Sequence, residues 1–216
     1  MPKTLGILGK KVGMTRVYDE LGFAIPVTVV EAGPCTILQV KTIEGEGYNA
    51  IQLGFDEKKP SRVTKPQAGH FKKAGKDGFY HVREFRVENP EAYEVGQELP
   101  LDTVFQIGDT VHVQGKSKGH GFQGVMRRYG FKGGGASHGS GFHRAPGSIG
   151  CSAWPARVVK GKKMPGQYGT DHQTVRNIKI VDIRPEENLI FLKGAVPGSA
   201  SSLVMVKKLK FAAKNS

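Results

Sequence analysis

Between Asp109 and Asp171 the chain runs for 61 positions, Thr110 to Thr170, without one carboxylate, and inside that window Gly115 to Gly169 contains 15 of the protein's 30 glycines. No ordinary element accommodates such a segment. Glycine in a helix interior costs about 1 kcal/mol relative to alanine, and FKGGGASHGSGFHRAPGSIGCSAW, Phe131 to Trp154, has too little apolar side chain to close a core. The window also carries six lysines and four arginines, +10 of the chain's net +13, whereas the other 155 residues, with 22 basic and 19 acidic side chains, supply only +3. The chain is thus made of two kinds of material, and the basic kind calls for a polyanion or an anionic surface as partner.

The flanks read as β-structure. In FAIPVTVV, Phe23, Ile25, Val27 and Val29 fall on one face at period two, and DTVHVQ places Val111 and Val113 inward with Thr110, His112 and Gln114 outward. CTILQVKTI and YNAIQLGF flank a Glu44-Gly45-Glu46-Gly47 turn, a hairpin signal. VRNIKIVDI and NLIFLKG flank RPEE, and SLVMVKK follows. KPQAGHFKKAG, Lys65 to Gly75, predicts one short helix within a more basic insertion. Short strands at regular spacing without long amphipathic helices predict a mainly β fold, a barrel or a sandwich. At 216 residues and 38% apolar content the chain suits one large domain, or one domain with an appendage. If strands on both sides of the window close the same barrel, residues 115–169 are an excursion from it. A loop of that length is functional or disordered, and a plain spacer has no use for Phe122, Tyr129, Phe131, Phe142 and Trp154, or for Pro146, Pro155 and Pro165.

Several classes of function are disfavoured. Cys35 and Cys151 stand 116 positions apart without metal-site spacing, which fits a reducing compartment. The first twenty residues lack the apolar run of a secretory signal, and no stretch approaches the roughly 18 apolar residues of a membrane span, so a soluble cytoplasmic protein is expected. GHGFQG matches GxGxxG at Gly119, Gly121 and Gly124, but the acid that should follow about 20 positions on is missing. GASHG matches GxSxG at Gly135, Ser137 and Gly139, with neither a buried strand before it nor a helix after it. QGKS ends like a phosphate-binding loop, but Thr110 stands where the first glycine belongs. His120, His138 and His143 have no cysteine or carboxylate beside them, and read as polar donors rather than metal ligands.

Glycine, base and aromatic together suit RNA. Glycine lets the backbone approach closely and take unusual φ values. Lysine and arginine release counterions from phosphates, and arginine also forks or stacks. Phe122, Tyr129, Phe131, Phe142, His143 and Trp154 could stack on unpaired bases. A membrane surface fits less well, because surface-bound segments are amphipathic helices.

SKGHGFQGVMRR, Ser117 to Arg128, resembles the signature of the large-subunit ribosomal protein L-three family. GILGKKVGMTRVYDELGFAIPVTVVEAGPC, HRAPGSIG, KGKKMPGQYG and NLIFLKGAVPGS are similar to further blocks of its bacterial members, in order, from about Leu5 to about Lys207. The resemblance implies a translation-factor-like Greek-key β-barrel with a small inserted α+β subdomain and a long Gly/basic loop extension. It allots 1–114 with 170–210 to the barrel, about 56–100 to the insertion, 115–169 to an RNA-penetrating extension and 211–216 to a C-terminal tail. It implies a structural, non-enzymatic role without cofactor, membrane or small-molecule substrate. The implied partners are 23S ribosomal RNA near its 3′ end and neighbouring proteins such as L-fourteen and L-nineteen. Early subunit assembly and reach toward the peptidyl-transferase centre are implied as well. An RNA-binding protein outside the ribosome is the competing reading.

The RNA-binding residues it marks are Lys116, Lys118, Gly119, His120, Gly121, Gly124, Arg127 and Arg128 at the signature, then Lys132, His138, His143 and Arg144. Trp154, Arg157, Lys160, Lys162 and Lys163 line the return, and Lys10, Lys11 and Arg16 join from the N-terminal block. Many bacterial members carry a methylated glutamine after GSIG, where this chain has Cys151. No modification is expected at Cys151, so peptide mass mapping of the native protein should find that residue unmethylated; a methyl increment localised there would contradict this.

Overall fold

The computed structural model describes residues 5–208, so the expected tail at 211–216 lies outside the described residues. In chain order the first elements are β1 (Gly6–Tyr18), β2 (Ala24–Ala32), β3 (Cys35–Lys41), the single-turn helix α1 (Ile43–Glu46) and β4 (Ala50–Glu57). Next come α2 (Lys65–Lys72), β5 (Phe79–Arg86), β6 (Glu98–Leu99), α3 (Leu101–Val104) and β7 (Thr110–Lys116). The short elements β8 (Gly121–Gln123), α4 (Val125–Tyr129) and β9 (Gly166–Tyr168) follow, and β10 (His172–Arg184), β11 (Leu189–Lys193) and β12 (Leu203–Lys208) complete the order.

Six strands close a barrel in the order β1-β12-β7-β10-β11-β2, every pair antiparallel. β12 is inserted between β1 and β7 rather than beside β11, so the order is that of a Greek key and not of a simple meander. Closure leaves the barrel no free edge. Its interior is Ile7, Val30, Val111, Val113, Ile190, Leu192, Val204 and Val206, all fully buried. The alternation of DTVHVQ is observed as expected. FAIPVTVV differs: Phe23 is 67% exposed, and Val30 and Ala32, not Val29, face the core. β1 and β2 overrun the barrel as a hairpin in which Gly13 to Tyr18 pair with Val29 to Ala24. Alternation identifies residues that share a face, but the outer half of a hairpin has no interior to face.

Between β2 and β7 the chain builds a second sheet, β5-β4-β3-β6. The hairpin expected across Glu44–Gly47 is β3–β4, closed by α1 with Gly47 left-handed at φ 80°. Ile37, Ile51, Leu53 and Phe85 of this sheet share one continuous core with the barrel residues. The contact depends on Gly6, where a Cβ would lie 2.7 Å from the Phe85 ring and collide with the Val206 carbonyl. α2, which bears out the short helix read at Lys65–Gly75, covers the other face through Phe71, packed with Leu38, Ala74 and Phe79. Cys35 is sealed inside, where burial pushes its thiol up to about 12, and its Sγ donates weakly to the Leu8 carbonyl.

Polar groups tie the barrel's last loop. Lys11, read from sequence as an RNA ligand, is 8% exposed, and its ammonium donates to the Val196 and Gly198 carbonyls at 3.0 and 3.1 Å. Its charge is spent on backbone oxygens, because β1 carries it beneath the 194–202 loop. Thr28 Oγ1 donates to the Gly194 carbonyl at 2.6 Å from the other side. Lys208 Nζ lies 2.6 Å from Asp109 Oδ2. Burial works to raise the Asp109 pKa, but Lys208 and the Gln106 N–H outweigh it and hold the carboxyl below its ordinary range.

Lys11→Met removes a charged donor from two carbonyls, which is expected to cost about 2 kcal/mol of stability. Urea unfolding should show a lower midpoint at unchanged m, while the salt dependence of RNA binding stays as in the parent. A surface lysine on a phosphate would give the reverse pattern.

Candidate nucleic-acid interface

The chain divides into two compact units, one of the barrel with the four-stranded sheet, the other Ser117–Asp171. In the first unit β7 and β10 are neighbours, and their ladder ends at the pair Lys116↔His172. The connection between these two residues is the whole second unit. Its own root is tied by the Ser117 N–H to the Asp171 carbonyl at 2.9 Å and by the Asp171 N–H to Ser117 Oγ at 3.2 Å.

Within the second unit β8 and β9 form a three-residue antiparallel ribbon, followed by the five-residue helix α4. Gly124 caps α4 at its start, and Gly130 ends it in the left-handed region at φ 73°. His120 stacks on Tyr168 at 5.2 Å with 23° between planes, its N–H donates to the Tyr168 carbonyl, and the Arg127 guanidinium lies 3.2 Å from its Nδ1. Arg128 bridges the two limbs: Nη1 donates to the Met164 carbonyl at 2.7 Å, and the guanidinium lies 5.0 Å from the Tyr129 ring centre. It rests on Gly166, where a Cβ would sit 2.6 Å from Nη1. Lys163 approaches the same Tyr129 ring at 5.7 Å.

Farther along, the chain turns back on itself. The Gly134 N–H donates to the Phe142 carbonyl at 2.9 Å, and His143 Nδ1 lies 2.9 Å from the Gly135 carbonyl. A Cβ at Gly134 would stand 2.8 Å from the Phe142 oxygen, so the fold-back needs glycine there. Ser137 and His138 occupy this turn, exposed and outside any strand or helix, so the GxSxG match has no nucleophile-elbow geometry. The GxGxxG match leads from an antiparallel ribbon into five helical residues, which is no βαβ unit. Among the described residues no group of His, Cys, Asp and Glu could hold a metal ion, and no helix is long and apolar enough to cross a membrane.

Of the whole second unit only Val125 and Gly169 are buried. Lys118, His120, Arg127, Lys132, His138, His143, Arg144, Arg157, Lys160, Lys162 and Lys163 are all exposed, and Arg128 is half-buried in its bridge. Phe122, Phe142 and Trp154 are 76, 62 and 86% exposed. In the first unit Lys116 and Arg16 are exposed, Lys10 is partly so and Lys11 is inside. Tyr168 and Gly166, which seat His120 and Arg128, escaped the sequence reading, because only the fold brings together residues 48 and 38 positions apart.

A family model described as ribosomal protein L3 matches residues 84–188. A large ribosomal subunit protein uL3 from Desulfotalea psychrophila is 61% identical over 206 residues, covering 95% of this chain and 99% of that protein. The chain belongs to the ribosomal protein L3 family. Proteins of the same description from Syntrophotalea carbinolica and Brachyspira pilosicoli are 56 and 54% identical, spanning 95 and 94% of this chain and 98 and 92% of their own lengths.

Proposed function

We propose that this ribosomal protein of the large subunit binds 23S ribosomal RNA directly near its 3′ end, nucleates early subunit assembly, and sends residues 115–169 into the RNA toward the peptidyl-transferase centre. The observation that carries this reading is the second unit with its root: ten cations and no carboxylate stand between Asp109 and Asp171, nine of the cations fall in the second unit, and only Val125 and Gly169 of that unit are buried. A carboxylate among packed phosphates would be repelled, and a merely solvated basic face would tolerate one. The barrel holds the two ends of the excursion together, Arg128 and His120 stiffen its base, and the outer turns present Trp154, Phe142 and the lysines to the RNA. Neighbours such as L-fourteen and L-nineteen belong to the same proposal. The competing reading, an RNA-binding protein outside the ribosome, fits the composition equally but not the family.

Binding to 23S RNA fragments should weaken with salt at a slope of about −0.7 to −0.9 per phosphate neutralised. Replacing 117–171 with a short linker is expected to flatten the log affinity against log salt plot by several units. An unchanged slope would place the RNA contact on the barrel and sink the extension model.

A further inference from the structure

The first unit carries a basic surface of its own. From Lys58 to Lys76, between Glu57 and Asp77, the chain holds six lysines, one arginine and no carboxylate. The structure folds this stretch into a 3₁₀ turn, Pro60–Arg62, and α2, whose apolar side is used up by Phe71 against the sheet. Lys59, Arg62, Lys65, Lys72 and Lys73 are left exposed. Among the described residues none of these five forms an ion pair; Lys76 does, with Glu98 at 2.8 Å, and is set aside. On β5 Tyr80, 46% exposed, stands beside Lys58 and Arg62, with Lys58 Nζ 5.6 Å from its ring centre and the Arg62 guanidinium donating to its hydroxyl at 3.1 Å.

We infer that this face of the small sheet is a second RNA-binding surface, separate in sequence from 117–171, with Tyr80 as a stacking platform and the five cations on phosphates. A part-exposed aromatic ring held by Lys58 and Arg62, on a stretch whose other exposed cations form no ion pair, is what a ribonucleic acid backbone with an exposed base requires. A protein partner needs an apolar centre in its interface, and between Lys58 and Tyr80 the one large apolar side chain that is exposed is Tyr80 itself. Given the place in the large subunit proposed above, the polyanion within reach is ribosomal RNA. Two such surfaces on one chain would let it hold two RNA segments at once.

The test incorporates p-benzoylphenylalanine at Tyr80 in the full-length protein, isolates large subunits and irradiates them. A crosslink to ribosomal RNA is expected. A crosslink to another protein, or none although the chain is present in the subunits, would overturn the inference. Failure of the unsubstituted chain to enter the subunits would overturn the large-subunit reading and this surface with it. In parallel, the chain with Lys59→Glu, Arg62→Glu, Lys65→Glu, Lys72→Glu and Lys73→Glu keeps its core and its extension. Its salt slope for ribosomal RNA should fall by about four relative to the parent, and an unchanged slope would count against the surface.

Discussion

The ladder between β7 and β10 is the constraint from which the rest of the molecule follows. It ends at Lys116↔His172, so both ends of a segment that cannot fold by its own packing are fixed side by side on adjacent strands. Closing a loop of this length costs entropy that grows only slowly with length. A barrel with a dry interior can therefore carry the excursion, provided that its ladders do not fray. β12 on one side of β7 and β10 on the other keep that strand central, and the continuous core under Phe85 and Gly6 joins the barrel to the second sheet.

Much of the barrel was legible because alternation is a local signal. Val111 and Val113 turn inward as DTVHVQ requires, and the hairpin across Glu44–Gly47 forms. What a strand pairs with is not local. Nothing in CTILQVKTI distinguishes a second sheet from the barrel, and nothing in FAIPVTVV reveals that its first residues overrun the core. Lys11 misled for a related reason: lysine is almost always a surface residue, and only the return of the 194–202 loop across β1 gives its ammonium two carbonyls.

The candidate interface was legible through composition rather than geometry. A missing carboxylate needs no fold to be noticed, and 61 positions without one are already a statement about the environment. Catalytic motifs failed for the complementary reason: glycine-rich sequence matches GxGxxG and GxSxG by chance, and the ribbon and turn found there have neither βαβ nor elbow form. The Arg128 bridge over Gly166 and the stack of His120 on Tyr168 join residues 38 and 48 positions apart, and no spacing rule reaches across those gaps.

Residues 117–171 are expected to take their order from RNA, since burial of Val125 and Gly169 is too little to offset the entropy of the chain around them. Hydrogen exchange followed by mass spectrometry, on the free protein and on the same protein within large subunits, tests it directly. Peptides from 131–160 should exchange at nearly intrinsic rates in the free protein and become strongly protected in the subunit, while β7, β10 and β12 remain protected in both. Strong protection of 131–160 in the free protein would contradict the account.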